Sequence, residues 1–212
     1  MRIDAISNKT ARWIFNYLTN YEGKYSIIAP YLGMSVLDLG CGFAGKGLIP
    51  FLQEGATYVG VDVNQDALNR LRSRYPEYVF YCLDLDRDPL PDSLAGVSSS
   101  SIVLLAVIEH LKNPDFILDQ CRSLMNDSTR LVITTPTGTG DLISRAFERM
   151  WGNPNALNAR PHLRSFSKNT LDSLCKAHGL VCRHYQRLGW HRQNQLAIYT
   201  KTSALALLRN KK

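Results

Sequence analysis

A glycine-rich turn and three acidic residues have types and spacing that suit a nucleoside-bearing ligand. The turn runs from Gly40 to Gly45 and directly follows a short apolar segment that ends in Asp38-Leu39. Glycines let a backbone turn tightly and let a ligand approach it without meeting a Cβ atom. Asp62 and Asp84 end the next two apolar segments. Asp62 lies 22 residues after Gly40, a spacing at which a ribose-binding acid is expected.

The same turn also matches the dinucleotide fingerprint, since Gly40-x-Gly42-x-x-Gly45 has the pattern G-x-G-x-x-G. Asp62 lies where a ribose-binding acid is expected in that case too. Two acids favour a different ligand: Asp38 would repel a pyrophosphate and attract an amine, and Asp84 could accept a hydrogen bond from an adenine amino group. An NAD-dependent oxidoreductase remains the less favoured alternative.

A second group of residues could move a proton. Glu109-His110 follows the apolar segment 102–107, and His162 lies shortly before another polar stretch that contains Arg164. An imidazole with a pKa near 6.5 is a suitable base at neutral pH. We therefore take His110 and His162 as candidate catalytic residues. Glu109 and Arg164 are candidate substrate-binding residues, Arg164 because a planar guanidinium binds phosphate or carboxylate groups. For each of these four residues, the alternative is a structural role.

The elements that must position these residues alternate in type along the chain. Continuous apolar runs indicate buried strands, and the amphipathic stretches between them indicate helices. The predicted strands are 35–39, 58–63, 78–83, 102–107 and 131–135, then 180–188 and 195–201. The predicted helices are 46–54, 65–74, 114–126, 141–150 and 167–178. This alternation predicts an α/β fold: a Rossmann-like, doubly wound, mostly parallel seven-stranded sheet with a C-terminal antiparallel hairpin.

The expected organisation is a single domain over residues 1–212. Residues 1–33 form an N-terminal helical cap, and residues 34–137 form the cofactor-binding half. Residues 138–167, rich in glycine and proline, form a substrate-side insertion in which Phe147 and Trp151 could line a pocket. Residues 168–212 form a helix, the hairpin and a basic tail.

Five segments in this order resemble a class I S-adenosylmethionine-dependent methyltransferase, of the ubiquinone-biosynthesis and glycan-modifying small-molecule group. They are 36–42, 59–62, 82–85, 107–111 and 130–136. The resemblance covers about residues 35–200 and implies the strand order 3-2-1-4-5-7-6. It also implies S-adenosylmethionine as the cofactor and a small or carrier-linked acceptor, methylated on oxygen.

The resemblance further implies the cofactor contacts. Asp38 would hold the turn, Asp62 would bind both ribose hydroxyls, and Ala106 would offer its carbonyl to the methionine amino group. The full set is Asp38, Gly40, Cys41, Gly42, Asp62, Val63, Asp84, Leu85 and Ala106. Glu109-His110 is also similar to the metal-binding Glu-x-x-Glu-His of small-RNA 2′-O-methyltransferases. Because Ala106 replaces the first of those acids, the sequence predicts no metal.

The charge distribution leaves other partners open. The chain carries a net charge of +7, whereas residues 141–212 alone carry 13 Lys and Arg against 3 Asp and Glu. Such a segment suits an anionic acceptor or nucleic acid, so an RNA methyltransferase or a non-catalytic nucleic-acid-binding member is an alternative. The apolar and basic tail 204–212 could contact a membrane surface. Five cysteines without CxxC pairs, and no signal-like segment, predict a cytoplasmic protein.

Overall fold

The computed structural model describes residues 23–42, 47–94, 100–140, 142, 162–189 and 192–202. Within these residues, helices flank a seven-stranded sheet. The strands are β1 Ser35–Leu39, β2 Thr57–Asp62, β3 Val79–Cys82, β4 Ser101–Leu105, β5 Arg130–Pro136, β6 Leu180–Leu188 and β7 Asn194–Lys201. The α-helices are α1 Gly23–Ile28, α2 Gln65–Arg74, α3 Pro114–Leu124 and α4 Lys168–Ala177. Short 3₁₀ turns lie at Ala29–Tyr31, Ile49–Phe51, Asp92–Leu94 and Ile108–His110.

The strand order is β3-β2-β1-β4-β5-β7-β6, which confirms the predicted order and fold class. The first five strands pair in parallel, with Asp38 opposite Gly60 on β2 and opposite Val103 on β4. β7 pairs antiparallel with both β5 and β6, which confirms the C-terminal hairpin. The order reverses between β1 and β4, so their carboxyl ends border the crevice in which ligands of such sheets bind.

Both faces of the sheet are buried. Along β1, Val36 packs into one core together with residues of α1 and α2, whereas Leu37 and Leu39 pack into the other with residues of α3 and α4. This double burial explains why the strands are continuous apolar runs in the sequence.

Two helix starts follow from local sequence. The side chain of Asn64 accepts a hydrogen bond from the amide of Ala67, which caps α2. Ser167 caps α4 by a reciprocal pair of bonds with Thr170. Each cap satisfies amide groups that the first helical turn leaves unpaired.

The predicted helix 46–54 is wrong over the part that the structure describes. Only Ile49–Phe51 forms a 3₁₀ turn there. Pro50 lacks the amide that an α-helix needs, and Leu52 is already extended, with ψ 151°. Gly55, with φ 77°, then turns the chain into β2.

Several predicted features lie outside the described residues. These are most of the N-terminal cap, most of the 138–167 insertion with Phe147 and Trp151, and the tail from residue 203. Among the helices in the described ranges, none is long and apolar enough to cross a membrane.

Candidate functional site

The glycine turn after β1 forms one wall of the crevice. Gly40 and Gly42 have φ angles of 82° and 70°, a left-handed conformation that side chains disfavour. The amides of Gly40 and Cys41 both donate to the carbonyl of Val61 on β2, at 2.7 and 3.0 Å. Among the described residues, a Cβ on Gly42 would meet nothing nearer than the Gly40 carbonyl, at 3.8 Å. With respect to this part of the chain, the turn leaves space above Gly42 that a ligand could fill.

Asp62, at the end of β2, is fixed by two backbone amides. Its Oδ2 accepts from the amide of Gly42 at 2.8 Å, and its Oδ1 accepts from the amide of Asn64 at 2.9 Å. A carboxylate has about four acceptor positions, so each oxygen keeps one for a further donor. This arrangement fits the predicted contact with two ribose hydroxyls.

Asp38 lies deeper than the turn. Its Oδ2 accepts a hydrogen bond from the Tyr58 hydroxyl at 2.7 Å, and its Oδ1 has no hydrogen-bond partner among the described residues. Burial raises the pKa of Asp38 to about 7, although the Tyr58 bond opposes the rise. Asp62 raises the pKa of Asp38 further by repulsion, and Lys24 lowers it. The bond to Tyr58 was not anticipated from the sequence, which placed Asp38 as a support of the turn.

The side of the crevice that is predicted to hold adenine has one exposed apolar residue and one acid. Val63 is 48% exposed just beyond β2, as an adenine-contacting residue must be before the ligand binds. Asp84 caps a tight turn: its Oδ1 accepts from the amide of Asp86 at 3.2 Å, and its Oδ2 lies 3.7 Å from the Arg87 guanidinium. The Leu85 side chain is buried in the core, so only its backbone is suited to a ligand.

Ala106 has an unusual backbone conformation at the end of β4. Its φ is 58°, a left-handed value that costs an L-residue on the order of 1–2 kcal/mol. Its amide still donates to the carbonyl of Thr134 on β5, at 2.9 Å. The strand was predicted to continue to residue 107, but this turn ends it at Leu105. Strain of this kind concentrates at functional sites, and an alanine in the sequence gives no sign of it.

Glu109 is a buried acid in the 3₁₀ turn after β4. It is 1% exposed, and neither carboxylate oxygen has a hydrogen bond of ordinary geometry within the described residues. Burial raises its pKa to about 7. A backbone hydrogen bond at Glu109 opposes the rise in its pKa most, followed by His162, the nearby Thr135 hydroxyl and Lys24. Lys24, itself buried on α1, was not singled out from the sequence because it lies in the predicted cap, far from any motif.

The segment before α4 brings His162 to this acid. The amide of Leu163 donates to the carbonyl of Glu109 at 2.9 Å. Phe166 is buried, and its carbonyl accepts from Nε2 of Gln195 on β7 at 2.6 Å. These contacts hold residues 162–167 against the turn that follows β4.

Arg164 strengthens the same junction. Its Nη2 donates to the carbonyl of Lys112 at 3.0 Å. The predicted substrate-binding arginine therefore has a structural contact in this structure. Its guanidinium keeps further donors, because it carries five N–H groups.

His110 and His162 meet across this junction. Their ring centroids are 4.8 Å apart, with an angle of 59° between the planes. Glu109 completes a group of three, in which one ligand atom from each side chain lies within 4.8 Å of the other two. Glu109-His110 and His162 belong to two separate segments of the sequence, and the fold brings them together at the carboxyl edge of the sheet, beside Ala106.

Comparisons with known proteins identify the family. A model of the methyltransferase domain matches residues 21–185. A probable S-adenosylmethionine-dependent methyltransferase of Mycobacterium tuberculosis is 31% identical over 125 residues, which is 58% of this chain and 44% of that protein. The chain thus spans less than half the length of the curated relatives it matches.

Two solved structures share the fold, and each holds S-adenosylhomocysteine. The magnesium protoporphyrin IX methyltransferase of Synechocystis PCC 6803 has a TM-score of 0.63 at 15% identity, covering 85% of this chain and 83% of that one. The 1,6-didemethyltoxoflavin-N1-methyltransferase of Burkholderia thailandensis has a TM-score of 0.64 at 14% identity, covering 92% and 83%. The glycine turn, the strand order and the matched domain agree, and the chain belongs to the family of class I S-adenosylmethionine-dependent methyltransferases.

Proposed function

We propose that the protein methylates a hydroxyl group of a small or carrier-linked molecule. The observation that carries this proposal is the pair of imidazoles, His110 and His162, with ring centroids 4.8 Å apart at the edge of the sheet where the cofactor binds. Methylation of a hydroxyl requires removal of its proton, and an imidazole is the side chain best suited to that task near neutral pH.

The cofactor would be held by the residues around the glycine turn. The open space above Gly42, the remaining acceptor positions of Asp62 and the exposed face of Val63 fit the methionine, ribose and adenine parts in that order. The left-handed Ala106 directly follows β4 at the carboxyl edge of the sheet, where its carbonyl would accept from the methionine amino group. S-adenosylmethionine supplies an electrophilic methyl group, whose transfer to a hydroxyl yields the methyl ether, S-adenosylhomocysteine and a proton.

This chain contributes alignment and proton removal. An activated methyl donor needs chiefly that the reacting atoms be held roughly 3–3.5 Å apart. The bond from the Leu163 amide to the Glu109 carbonyl fixes His162 relative to His110, so both imidazoles are held on ordered backbone. We assign them to promoting proton loss from the acceptor hydroxyl.

The acceptor class rests on different support. Both structural neighbours are named for small-molecule acceptors, and one of them is named for methylation at a nitrogen. The neighbours therefore favour a small acceptor but not an acceptor atom. The preference for oxygen depends on the two imidazoles alone.

Product analysis tests the proposal. The full chain is incubated with methyl-labelled S-adenosylmethionine and a panel of phenols, catechols and carrier-linked alcohols, and the labelled atom is located by NMR. For the acceptor found, we expect His110→Ala and His162→Ala each to lower kcat by about 10²–10⁴-fold, the usual contribution of acid–base catalysis. Affinity for S-adenosylhomocysteine should stay within about twofold, because the turn and Asp62 are unchanged.

His184→Ala is the matched control, since His184 lies on β6 and contacts Tyr31 away from the crevice. It should leave kcat unchanged. Label found only on nitrogen or carbon, or full turnover in both histidine variants, would refute the assignment to oxygen.

A further inference from the structure

A buried carboxylate lies beside two imidazoles and has no hydrogen bond of ordinary geometry among the described residues. Both oxygens of Glu109 lack a hydrogen-bond partner among the described residues, although the side chain is only 1% exposed. Burying an ionised carboxylate is costly unless a partner compensates its charge. The carboxylate group lies with His110 and His162, and the ligand atoms of the three are all within 4.8 Å of one another.

We propose that Glu109, His110 and His162 bind one divalent transition-metal ion. An ion there would compensate the Glu109 charge directly. Catalytic metal sites commonly have three protein ligands and leave one coordination position of the ion open to water or substrate. The replacement of an acid by Ala106, on which the sequence prediction of no metal depended, leaves this set of three intact.

The ligand types select the kind of ion. Imidazole nitrogen suits zinc, iron, copper and nickel, and two imidazoles with one carboxylate form a common set for first-row metals. Magnesium and calcium prefer oxygen ligands throughout. We therefore expect Co²⁺, Mn²⁺ or Zn²⁺ to bind and Mg²⁺ to bind poorly.

The geometry needs only a small adjustment. Two ligands at about 2.0–2.1 Å from one ion can be at most about 4.2 Å apart. The present limit of 4.8 Å exceeds that value by less than 1 Å. Rotation of the imidazole rings can supply the difference, because the backbone positions are already fixed by the bond from the Leu163 amide to the Glu109 carbonyl.

A bound ion would also explain how the imidazoles promote proton loss. A divalent ion would lower the pKa of a hydroxyl that coordinates it, so the histidines would act as ligands to the ion and the hydroxyl proton would pass to solvent. This step rests on the proposed function, whereas metal binding itself does not.

Calorimetric titration tests the site. The tag-free full chain is first stripped of metal with a chelator and is then titrated with Co²⁺ and, separately, with Mg²⁺. We expect one Co²⁺ per chain with a Kd in the micromolar range or below, about −8 kcal/mol or better. Bound Co²⁺ should show visible d–d absorption. Glu109→Gln, which keeps the volume and removes the charge, should weaken Co²⁺ binding by more than about 10-fold, as should His162→Ala.

The controls separate loss of the site from loss of the fold. Glu77→Gln, an exposed acid far from the crevice in sequence, should bind Co²⁺ like the wild type. Retained binding of S-adenosylhomocysteine shows that Glu109→Gln is folded. Absence of Co²⁺ binding in the wild type, or binding that Glu109→Gln and His162→Ala leave unchanged, would overturn the proposal.

Activity distinguishes this failure from failure of the proposed function. If a metal-free chain methylates a hydroxyl at the full rate in the presence of chelator, the role of the metal ion in the reaction is refuted and the proposed methylation of oxygen is retained. If Co²⁺ binding depends on the three ligands but label is transferred only to nitrogen or carbon, the metal site is retained and the proposed methylation of oxygen is refuted.

Discussion

Gly40 and Val107 are packed so closely that a side chain on the first would have to displace the side chain of the second. A Cβ built on Gly40 would overlap the Cγ2 methyl of Val107. Gly40 lies in the turn after β1, and Val107 lies just beyond β4, so this contact joins the glycine turn to the segment that carries Glu109 and His110. The two halves of the crevice are thereby held at a fixed separation.

Gly40→Ala should therefore damage both stability and cofactor binding. Overpacking against Val107 and the left-handed φ of 82° each oppose the added methyl. We expect a loss of about 2–4 kcal/mol in the free energy of unfolding. Urea denaturation checks it, with Gly138→Ala as the control, because a Cβ there meets nothing within 4 Å. The double variant Gly40→Ala, Val107→Ala should recover part of the loss; no recovery would mean that the contact is unimportant.

Arg164 should act through the backbone of its own segment. Its bond to the Lys112 carbonyl holds the segment in which the Leu163 amide donates to Glu109. In Arg164→Ala, we expect hydrogen exchange at the Leu163 amide to quicken by about fivefold, the equivalent of one hydrogen bond of about 1 kcal/mol.

The matched control is Arg183→Ala, which removes a comparable bond to Thr200 on the hairpin. It should leave exchange at Leu163 unchanged. Unchanged exchange in Arg164→Ala, together with a raised KM for an anionic acceptor, would instead support the substrate-binding role expected from the sequence.

His178 should make stability depend on pH. Its ring joins the end of α4 to α3, with Nε2 3.0 Å from Oδ1 of Asp115 and Nδ1 2.6 Å from Oδ1 of Asp119. Desolvation lowers the pKa of His178, but the two carboxylates outweigh it and the pKa is raised above 6.5. The folded state therefore holds this proton more tightly than the unfolded state does.

The stabilisation from His178 should be fully present below pH 6.5 and should be lost as the pH rises through the raised pKa. Because both aspartates are more than half exposed, we expect less than about 1 kcal/mol. Urea denaturation at pH 6 and pH 9 measures it in the wild type and in His178→Gln. An equal change in both proteins between the two pH values would exclude this contribution.

The fold was accessible from the sequence because it depends on patterns that are local. Continuous apolar runs predicted the five parallel strands, and the helix predicted at 167–178 corresponds to α4. The prediction of a helix at 46–54 was wrong because it followed the spacing of apolar residues and gave too little weight to Pro50. A short 3₁₀ turn accommodates this proline.

The site was only partly accessible, because its contacts join residues far apart in the chain. Asp62 and the glycines stood out by spacing alone. In contrast, the bond between Tyr58 and Asp38 and the charge of Lys24 near Glu109 depend on packing between elements. The left-handed Ala106 has no signature in a single sequence. The convergence of Glu109, His110 and His162 required the fold, since 52 residues separate the last two along the chain.

Calorimetric titration with S-adenosylhomocysteine and NAD tests most directly whether the turn and Asp62 form the cofactor site. We expect micromolar binding of S-adenosylhomocysteine and none of NAD. Asp62→Ala should weaken binding by about 100-fold, since two hydrogen bonds to a charged group are lost. Asp66→Ala, an exposed acid four residues on, should bind like the wild type. Unchanged affinity in a folded Asp62→Ala, or binding of NAD alone, would contradict the assignment of this crevice to S-adenosylmethionine.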